Sequence, residues 1–216
     1  MQPATEILGL DGFYAESALP TLIKRSGMAI WADGEVRILD RRKLPHSKEY
    51  LCCKTTEEVA EAIEMMVIQG AFSISIAAGY GLALTAQESN LSIKDLRKAA
   101  ARLKATRPTG LALSRVMDLC LCQAEIAIKS GSSVVREIIK ITDTIASDLA
   151  KQARKTAQYA LGLLNDGDTI LTHCFPDRSY AYLLMEAKYN NISLNVICSE
   201  TRPYLQGSKL TSWCAA

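Results

Sequence analysis

The chain has 216 residues and a formal net charge of +2, with 49% hydrophobic and 22% charged residues. This composition is ordinary for a globular protein, so a disordered chain is excluded, and the length suffices for one large or two small domains. The near-neutral charge and the lack of a basic stripe argue against a nucleic-acid partner. No apolar run of about 18 residues and no secretory leader pattern occurs, so we expect no membrane partner and predict a cytoplasmic protein.

Seven cysteines occur without the spacing of a disulfide framework. Cys52 and Cys53 are adjacent and would point to opposite faces of a strand. Cys120 and Cys122 do not have a zinc-ligand spacing, and the chain has only two histidines that could supplement them. We therefore predict no metal site, and we expect most of the cysteines to be small apolar fillers in a reducing compartment.

The first third of the chain predicts an extension and then a small antiparallel sheet. Residues 1–27 are expected to form the extension, with one helix near Tyr14–Arg25 interrupted by Pro20. Asp33-Gly34 lies between two apolar runs and is typical of a tight hairpin turn. Strands are predicted at residues 29–32, 35–39 and 49–54.

Helices are predicted to follow this sheet. Thr55-x-x-Glu58 and Ser92-x-x-Asp95 have the pattern of capping boxes, which open helices. Residues 71–86 are apolar all round, which indicates a helix buried on every side and hence the central helix of the domain. The remaining predicted helices are residues 111–130 and 132–164.

Two short apolar segments near the C-terminus, residues 169–173 and 192–199, predict parallel strands. The predicted fold class is α/β: a mainly helical domain with a small antiparallel sheet (28–157), then the truncated start of a Rossmann-like parallel sheet (158–216). A two-stranded sheet exposes an edge and an apolar face. We therefore expect a homodimer or a partner chain to cover it.

Ligands bind at the carboxyl ends of parallel strands in open α/β sheets, so chemistry is expected there. Cys174 follows the first strand, and Pro176 and Asp177 suit the start of a helix. A thiol in this place can act as an acid or a base, or it can fill the core at a strand end. His173 would face the opposite side, which disfavours a Cys–His nucleophilic pair.

Other polar residues are candidate ligand contacts. Arg107 precedes a proline near a helix start and suits a phosphate, although a surface salt bridge is the alternative. The backbone amides at Gly70 and Ala71 could cradle an anion, and Gln206 could bind a sugar hydroxyl. Arg202 could act in the same way as Arg107 or pair internally with a neighbouring acid.

Five segments in order resemble the family of methylthioribose-1-phosphate isomerase, which includes ribose-1,5-bisphosphate isomerase and the alpha, beta and delta subunits of translation initiation factor 2B. They are Ile38–Pro45, Met65–Ala71 with Ala77–Leu84, Arg107-Pro-Thr-Gly110, Ile170-Leu-Thr-His-Cys174 and Glu200–Trp213. The resemblance implies an aldose–ketose isomerase that acts on a sugar 1-phosphate. It implies a helical domain followed by a Rossmann-like domain, usually dimeric, and no cofactor.

The resemblance also assigns residue roles. It implies that Cys174 is catalytic together with an aspartate further downstream than residue 216. It implies that the phosphate and the sugar contact Gln69, Gly70, Ala71, Arg107 and Gln206.

The chain departs from the isomerase pattern in two places. Isomerases usually carry Arg-Gly-Ala-Pro where this chain has Gln69-Gly-Ala-Phe72, which removes a charge-assisted contact of about 1–3 kcal/mol. Phe175-Pro-Asp-Arg178 adds bulk where isomerases continue with small residues. The preferred interpretation is a sugar-phosphate isomerase, catalytically incomplete in this chain. The alternatives are a non-catalytic, initiation-factor-2B-like protein that binds a phosphosugar or nucleotide-like molecule, and a structural protein in which the cysteine is filler.

Overall fold

The computed structural model describes residues 7–87 and 92–216, which form two compact units. The helical unit comprises the described parts of Met28–Lys43 and Lys48–Ala146. The strand–helix unit comprises the described parts of Met1–Gly27, Leu44–Ser47 and Ser147–Ala216. These units do not test the domain limits expected from the sequence (1–27, 28–157 and 158–216), which remain a prediction.

The predicted α/β class is confirmed. The strands are β1 (Ala29–Ala32), β2 (Glu35–Leu39), β3 (Tyr50–Cys53), β4 (Thr169–Thr172) and β5 (Asn195–Cys198). The α-helices are α1 (Thr56–Glu64), α2 (Ala71–Thr85), α3 (Ile93–Ala105), α4 (Leu111–Ser130), α5 (Val134–Leu161), α6 (Asp177–Tyr189) and α7 (Ser212–Ala215). A π-helical segment, Gly207–Thr211, leads into α7. Within the described residues, no helix combines the length and the apolar character that crossing a bilayer requires.

The antiparallel sheet has the predicted hairpin. β1 pairs with β2, with Trp31 opposite Val36, and β3 pairs with the other edge of β2. The turn residues Asp33 and Gly34 have φ values of 52° and 81°. Two positive φ values are what a primed hairpin turn requires, which explains the Asp-Gly sequence.

Both predicted capping boxes are present. The side chain of Thr55 accepts a hydrogen bond from the Glu58 amide, and the Glu58 carboxylate accepts one from the Thr55 amide. Ser92 and Asp95 make the same reciprocal pair at the start of α3. Each pair satisfies amides that a helix start otherwise leaves without a partner, so these starts follow directly from sequence.

Helix α2 is the buried centre of the helical unit, as predicted. Every residue from Ser73 to Thr85 is buried. A Cβ atom placed on Gly79 would lie 2.5 Å from Thr142 Oγ1, and one on Gly81 would lie 2.9 Å from Val59 Cγ1. The glycines therefore let the side chains of α1 and α5 pack directly on the α2 backbone.

We predict that Gly79→Ala lowers the free energy of unfolding by about 1–3 kcal/mol, because its methyl group overlaps Thr142 and overpacks the core. Urea denaturation measures this change. The control is Gly162→Ala, whose Cβ would lie 3.4 Å from its nearest neighbour, the Tyr159 carbonyl oxygen, and which should change stability by less than about 0.5 kcal/mol. An unchanged urea midpoint for Gly79→Ala would contradict the packing described.

The predicted helix near Tyr14–Arg25 is wrong. The structure has three short 3-10 turns there, Glu16–Ala18, Thr21–Ile23 and Arg25–Gly27. Pro20 has no amide hydrogen, so it cannot continue a helical hydrogen-bond ladder. Leu19 and Ile23 pack instead into one buried cluster with Ala157, Ala181 and Tyr182 of the same unit.

A partly buried arginine of α5, Arg154, fastens this N-terminal segment. Arg154 Nε donates to Glu186 Oε1 at 2.7 Å, and the guanidinium carbon lies 3.5 Å from the ring centroid of Phe13. Burial and the nearby Glu186 carboxylate raise the pKa of Tyr14 to about 12. Cation–π contact and ion pairing therefore join the segment to α5 and α6.

Strands β4 and β5 pair in parallel, with Leu171 opposite Ile197. These neighbours are 73% and 55% exposed, so the sheet presents an apolar pair on one face. The sequence predicted such an exposed apolar face. That a second copy of the chain or a partner chain covers it remains a prediction.

The seven cysteines differ in burial. All seven are free; Cys53 and Cys120 are buried, and Cys52 and Cys122 are exposed. Burial raises the pKa of Cys53 to about 12 and that of Cys120 to about 11. The other three are half-buried (Cys174, Cys198 and Cys214). The burial of Cys53 and Cys120 agrees with the filler interpretation, whereas the exposed Cys52 and Cys122 do not fill the core, because the side chains of each close pair point in different directions.

Candidate functional site

The predicted anion cradle, the backbone amides of Gly70 and Ala71, lies where the loop of residues 65–70 meets the first turn of α2. Gly70 is the N-cap residue, with φ 90° and ψ 131°, and no side chain caps the helix. This backbone conformation strains any residue with a side chain, which explains the glycine. Ala71 and Phe72 are exposed, so the first turn of α2 is accessible to solvent.

Gln69 is buried and its side chain folds back into the loop. Its Nε2 donates to the Met66 carbonyl oxygen at 3.3 Å. Among the described residues, its Oε1 has no hydrogen-bond partner and is shielded from solvent. Gln69 therefore shapes the loop, and its contact with a substrate remains a prediction.

Arg107 reaches the same loop. One terminal nitrogen of its guanidinium donates to the Ile63 carbonyl oxygen at 2.7 Å and contacts Met66 Sδ at 2.6 Å. Ile63 lies in the last turn of α1, where the helix dipole favours a cation. The partners of Arg107 are thus a carbonyl oxygen and a thioether sulfur. The alternative considered for Arg107, a surface salt bridge, would pair it with a carboxylate instead. The structure thus brings Arg107 to the loop that carries Gln69, because both side chains meet Met66.

Arg41, which follows β2, holds this loop, and the sequence did not reveal that role. It is 1% exposed, and its two terminal nitrogens donate to the Gln69 carbonyl oxygen at 2.5 Å and to Ser73 Oγ at 3.0 Å. Arg41 therefore holds both sides of the Gly70 turn. The charged residues next to Arg41 in the sequence indicate a surface loop. Only its position just after the buried end of β2 suggests that its side chain is buried.

We predict that Arg41→Met destabilises the protein by about 1–3 kcal/mol, because the Gln69 carbonyl and the Ser73 hydroxyl lose a charged donor. Thermal or urea unfolding checks this value. Arg97→Met is the control: its side chain is 64% exposed and pairs with Glu125, which is 37% exposed, so the loss should stay below about 1 kcal/mol. Equal effects of the two substitutions would refute the assigned role of Arg41.

In the strand–helix unit, Cys174 occupies the carboxyl end of β4 as predicted. Its φ of 60° is left-handed, which costs a residue with a side chain about 1–2 kcal/mol. Two threonines hold this conformation. The Cys174 amide donates to Thr201 Oγ1 at 3.0 Å, and Thr211 Oγ1 donates to the Cys174 carbonyl oxygen at 2.6 Å. The thiol-bearing residue is thus fixed from the loop and helix that follow β5.

A short polar chain continues from this contact. Thr201 Oγ1 lies 3.2 Å from the Ser199 carbonyl oxygen and donates to it. Ser199 Oγ lies 3.4 Å from Nδ1 of the exposed His173. His173 therefore contacts the loop that follows β5, and its exclusion from a Cys–His nucleophilic pair remains a prediction.

Gln206 is half-buried and immediately precedes the π-helical segment. A Cβ atom on Gly207 would lie 1.6 Å from the Ser199 carbonyl oxygen, so only glycine allows this approach. Gln206 and Cys174 therefore belong to loops that are fastened to each other. Arg202 Nε donates to Glu200 Oε2 at 2.8 Å, which is the internal pairing of the alternative interpretation.

The predicted site residues thus form two groups. Gln69, Gly70 and Ala71 lie at one loop of the helical unit, which the Arg107 side chain reaches from the connection between α3 and α4. Cys174 and Gln206 lie beyond the strand ends of the strand–helix unit. Sequence reasoning missed Arg41, Thr201 and Thr211, whose contacts join distant parts of the chain.

Comparison with known proteins settles the ancestry. Residues 67–215 match the Initiation factor 2 subunit family. The chain belongs to this family. The resemblance drawn from the five sequence segments is confirmed.

Relatives of known sequence and structure are longer than this chain. It is 40% identical over 193 residues to a putative methylthioribose-1-phosphate isomerase from Methanocaldococcus jannaschii, covering 85% of this chain and 55% of that protein. The structure of the translation initiation factor eIF-2B subunit delta from A. fulgidus is similar, with 34% identity, a TM-score of 0.68 and coverage of 86% and 58%. The 5-methylthioribose 1-phosphate isomerase from Pyrococcus horikoshii OT3 is 26% identical, with a TM-score of 0.71 and coverage of 93% and 60%. The chain therefore spans somewhat more than half the length of the relatives it matches.

Proposed function

We propose that this chain carries the thiol-bearing part of a sugar-phosphate aldose–ketose isomerase of the methylthioribose-1-phosphate isomerase type. The observation that carries the proposal is the placement of Cys174 at the end of β4, clamped through both its amide and its carbonyl. Relatives between 33% and 40% identical that bear this enzyme's name support it. We place the function in the cytoplasm, with which the seven free cysteines agree.

The proposed chemistry moves two protons. The 1-phosphate blocks simple opening of the sugar ring to an aldehyde. Isomerisation therefore breaks the bond between C1 and the ring oxygen, transfers the C2 hydrogen to C1 as a proton, and passes the proton of the 2-hydroxyl to the released ring oxygen. Cys174 is proposed as one of the acid/base groups in these transfers. This scheme needs no metal or organic cofactor.

Substrate contacts are proposed at the residues that the resemblance assigns. Phosphate would bind at Gln69, Gly70, Ala71 and Arg107, and a sugar hydroxyl at Gln206. The shared contact of Gln69 and Arg107 with Met66 supports their joint role, since a ligand that touches one touches a loop held by the other.

A non-catalytic, initiation-factor-2B-like protein that binds a phosphosugar or nucleotide-like molecule is the second candidate. Two observations favour it. Gln69 stands where isomerases usually have an arginine, and the chain is 34% identical to the A. fulgidus protein described as subunit delta of eIF-2B. In this case the binding loops are kept and turnover is absent.

The proposal is tested by incubating the protein with methylthioribose 1-phosphate and following formation of the ketose. Cys174→Ala should reduce turnover by about 100-fold or more, because a proton-transfer group is removed. Cys122→Ala is the matched control, since this cysteine lies exposed on α4 and should be dispensable.

The outcomes separate the two candidates. No turnover, together with a rise in melting temperature on adding the phosphosugar, supports the binding protein, because a ligand stabilises the folded state that binds it. If neither turnover nor stabilisation is seen, both candidates are rejected.

A further inference from the structure

The hydroxyl of Thr201 joins the ends of the two parallel strands. It accepts the Cys174 amide at 3.0 Å and donates to the Ser199 carbonyl oxygen at 3.2 Å. Cys174 follows β4 and Ser199 follows β5. Thr201 Oγ1 also lies 3.3 Å from Ser199 Oγ, so contacts with both strand ends hold this hydroxyl in place.

Thr211 closes the other side of the same residue. It is fully buried, and its hydroxyl donates to the Cys174 carbonyl oxygen at 2.6 Å. The amide and the carbonyl of Cys174 are thus each held by a different threonine side chain. With both groups fixed, the backbone of Cys174 stays at its φ of 60°, and the direction of its Cα–Cβ bond is fixed as well.

We propose that Thr201, assisted by Thr211, is a positioning residue for the Cys174 thiol. It controls the direction and exposure of the sulfur without touching the reacting atoms. The proposal rests on the proposed function for its catalytic meaning, since Cys174 is the acid/base group there. The positioning itself concerns only this chain's own contacts.

The experiment measures the rate at which iodoacetamide alkylates Cys174 in the whole chain, by mass spectrometry of the peptide that contains it. Cys174 is half-buried, so release of its backbone should expose the sulfur. We expect Thr201→Val to raise the alkylation rate about fivefold and Thr201→Ser to stay within about twofold of the wild type, because serine keeps the hydroxyl. In the isomerase assay, Thr201→Val should lower kcat about tenfold with little change in KM.

Two controls separate positioning from general loosening. Cys122, exposed in the other unit, should react at the same rate in every variant. Thr156→Val removes a threonine hydroxyl of α5 that donates to the Gln152 carbonyl, and it should leave Cys174 alkylation unchanged. Thr211→Val provides a second test from the carbonyl side, and it decides the question if Thr201→Val does not fold.

The possible outcomes are distinct. An unchanged Cys174 alkylation rate in folded Thr201→Val and Thr211→Val overturns the positioning role, even if the wild type is an active isomerase. A raised rate that serine restores supports it, even if the wild type shows no turnover and the proposed function fails. Equal increases at Cys174 and Cys122 also overturn it, because they indicate global loosening.

Discussion

The parallel pairing of β4 with β5 is the interaction on which the strand–helix unit depends. Each strand has only four residues, yet their register places Thr172 beside Cys198. This pairing fixes the backbone position from which the loop after each strand begins. The amide of Ser199 extends the pairing by donating to the Thr172 carbonyl oxygen at 3.1 Å. The loops beyond the strands then meet through threonine hydroxyls and through the close approach of Gly207 to Ser199.

In the helical unit, arginine side chains instead of threonine hydroxyls hold the candidate loop in place. The loop of residues 65–70 leads into a buried helix, α2, and Val67, Ile68 and Gln69 of the loop are themselves buried. A buried guanidinium, Arg41, supplies donors to both sides of the turn, and Arg107 supplies another to the end of α1. Arginine suits this position since its planar fork can serve two acceptors at once. Gln69 replaces the arginine that isomerases usually carry here, but Arg41 and Arg107 still place positive charge near this loop.

Local chemistry explains which parts of the structure were predictable from sequence. The Asp33-Gly34 turn and the capping box of Thr55 with Glu58 involve residues within three positions of each other, so their patterns can be read directly. Family resemblance added the site residues. The clamp on Cys174 comes from a threonine 37 positions away, and the contact of Arg41 with Gln69 spans 28 positions. Neither contact produces a periodic pattern or a change in composition in the sequence. The N-terminal 3-10 turns were missed for a similar reason: besides the break at Pro20, the packing of Leu19 and Ile23 on α5 and α6 involves residues far away in the sequence.

The separation of neighbouring thiols has a practical consequence. Cys52 and Cys122 face solvent while Cys53 and Cys120 are buried beside them. A disulfide within either close pair would need both sulfur atoms on the same side. Peroxide or air would instead reach the outer sulfur of each pair and link separate molecules. Covalent aggregates that form during storage would therefore reflect this surface chemistry, and a reducing agent would dissolve them without refolding the protein.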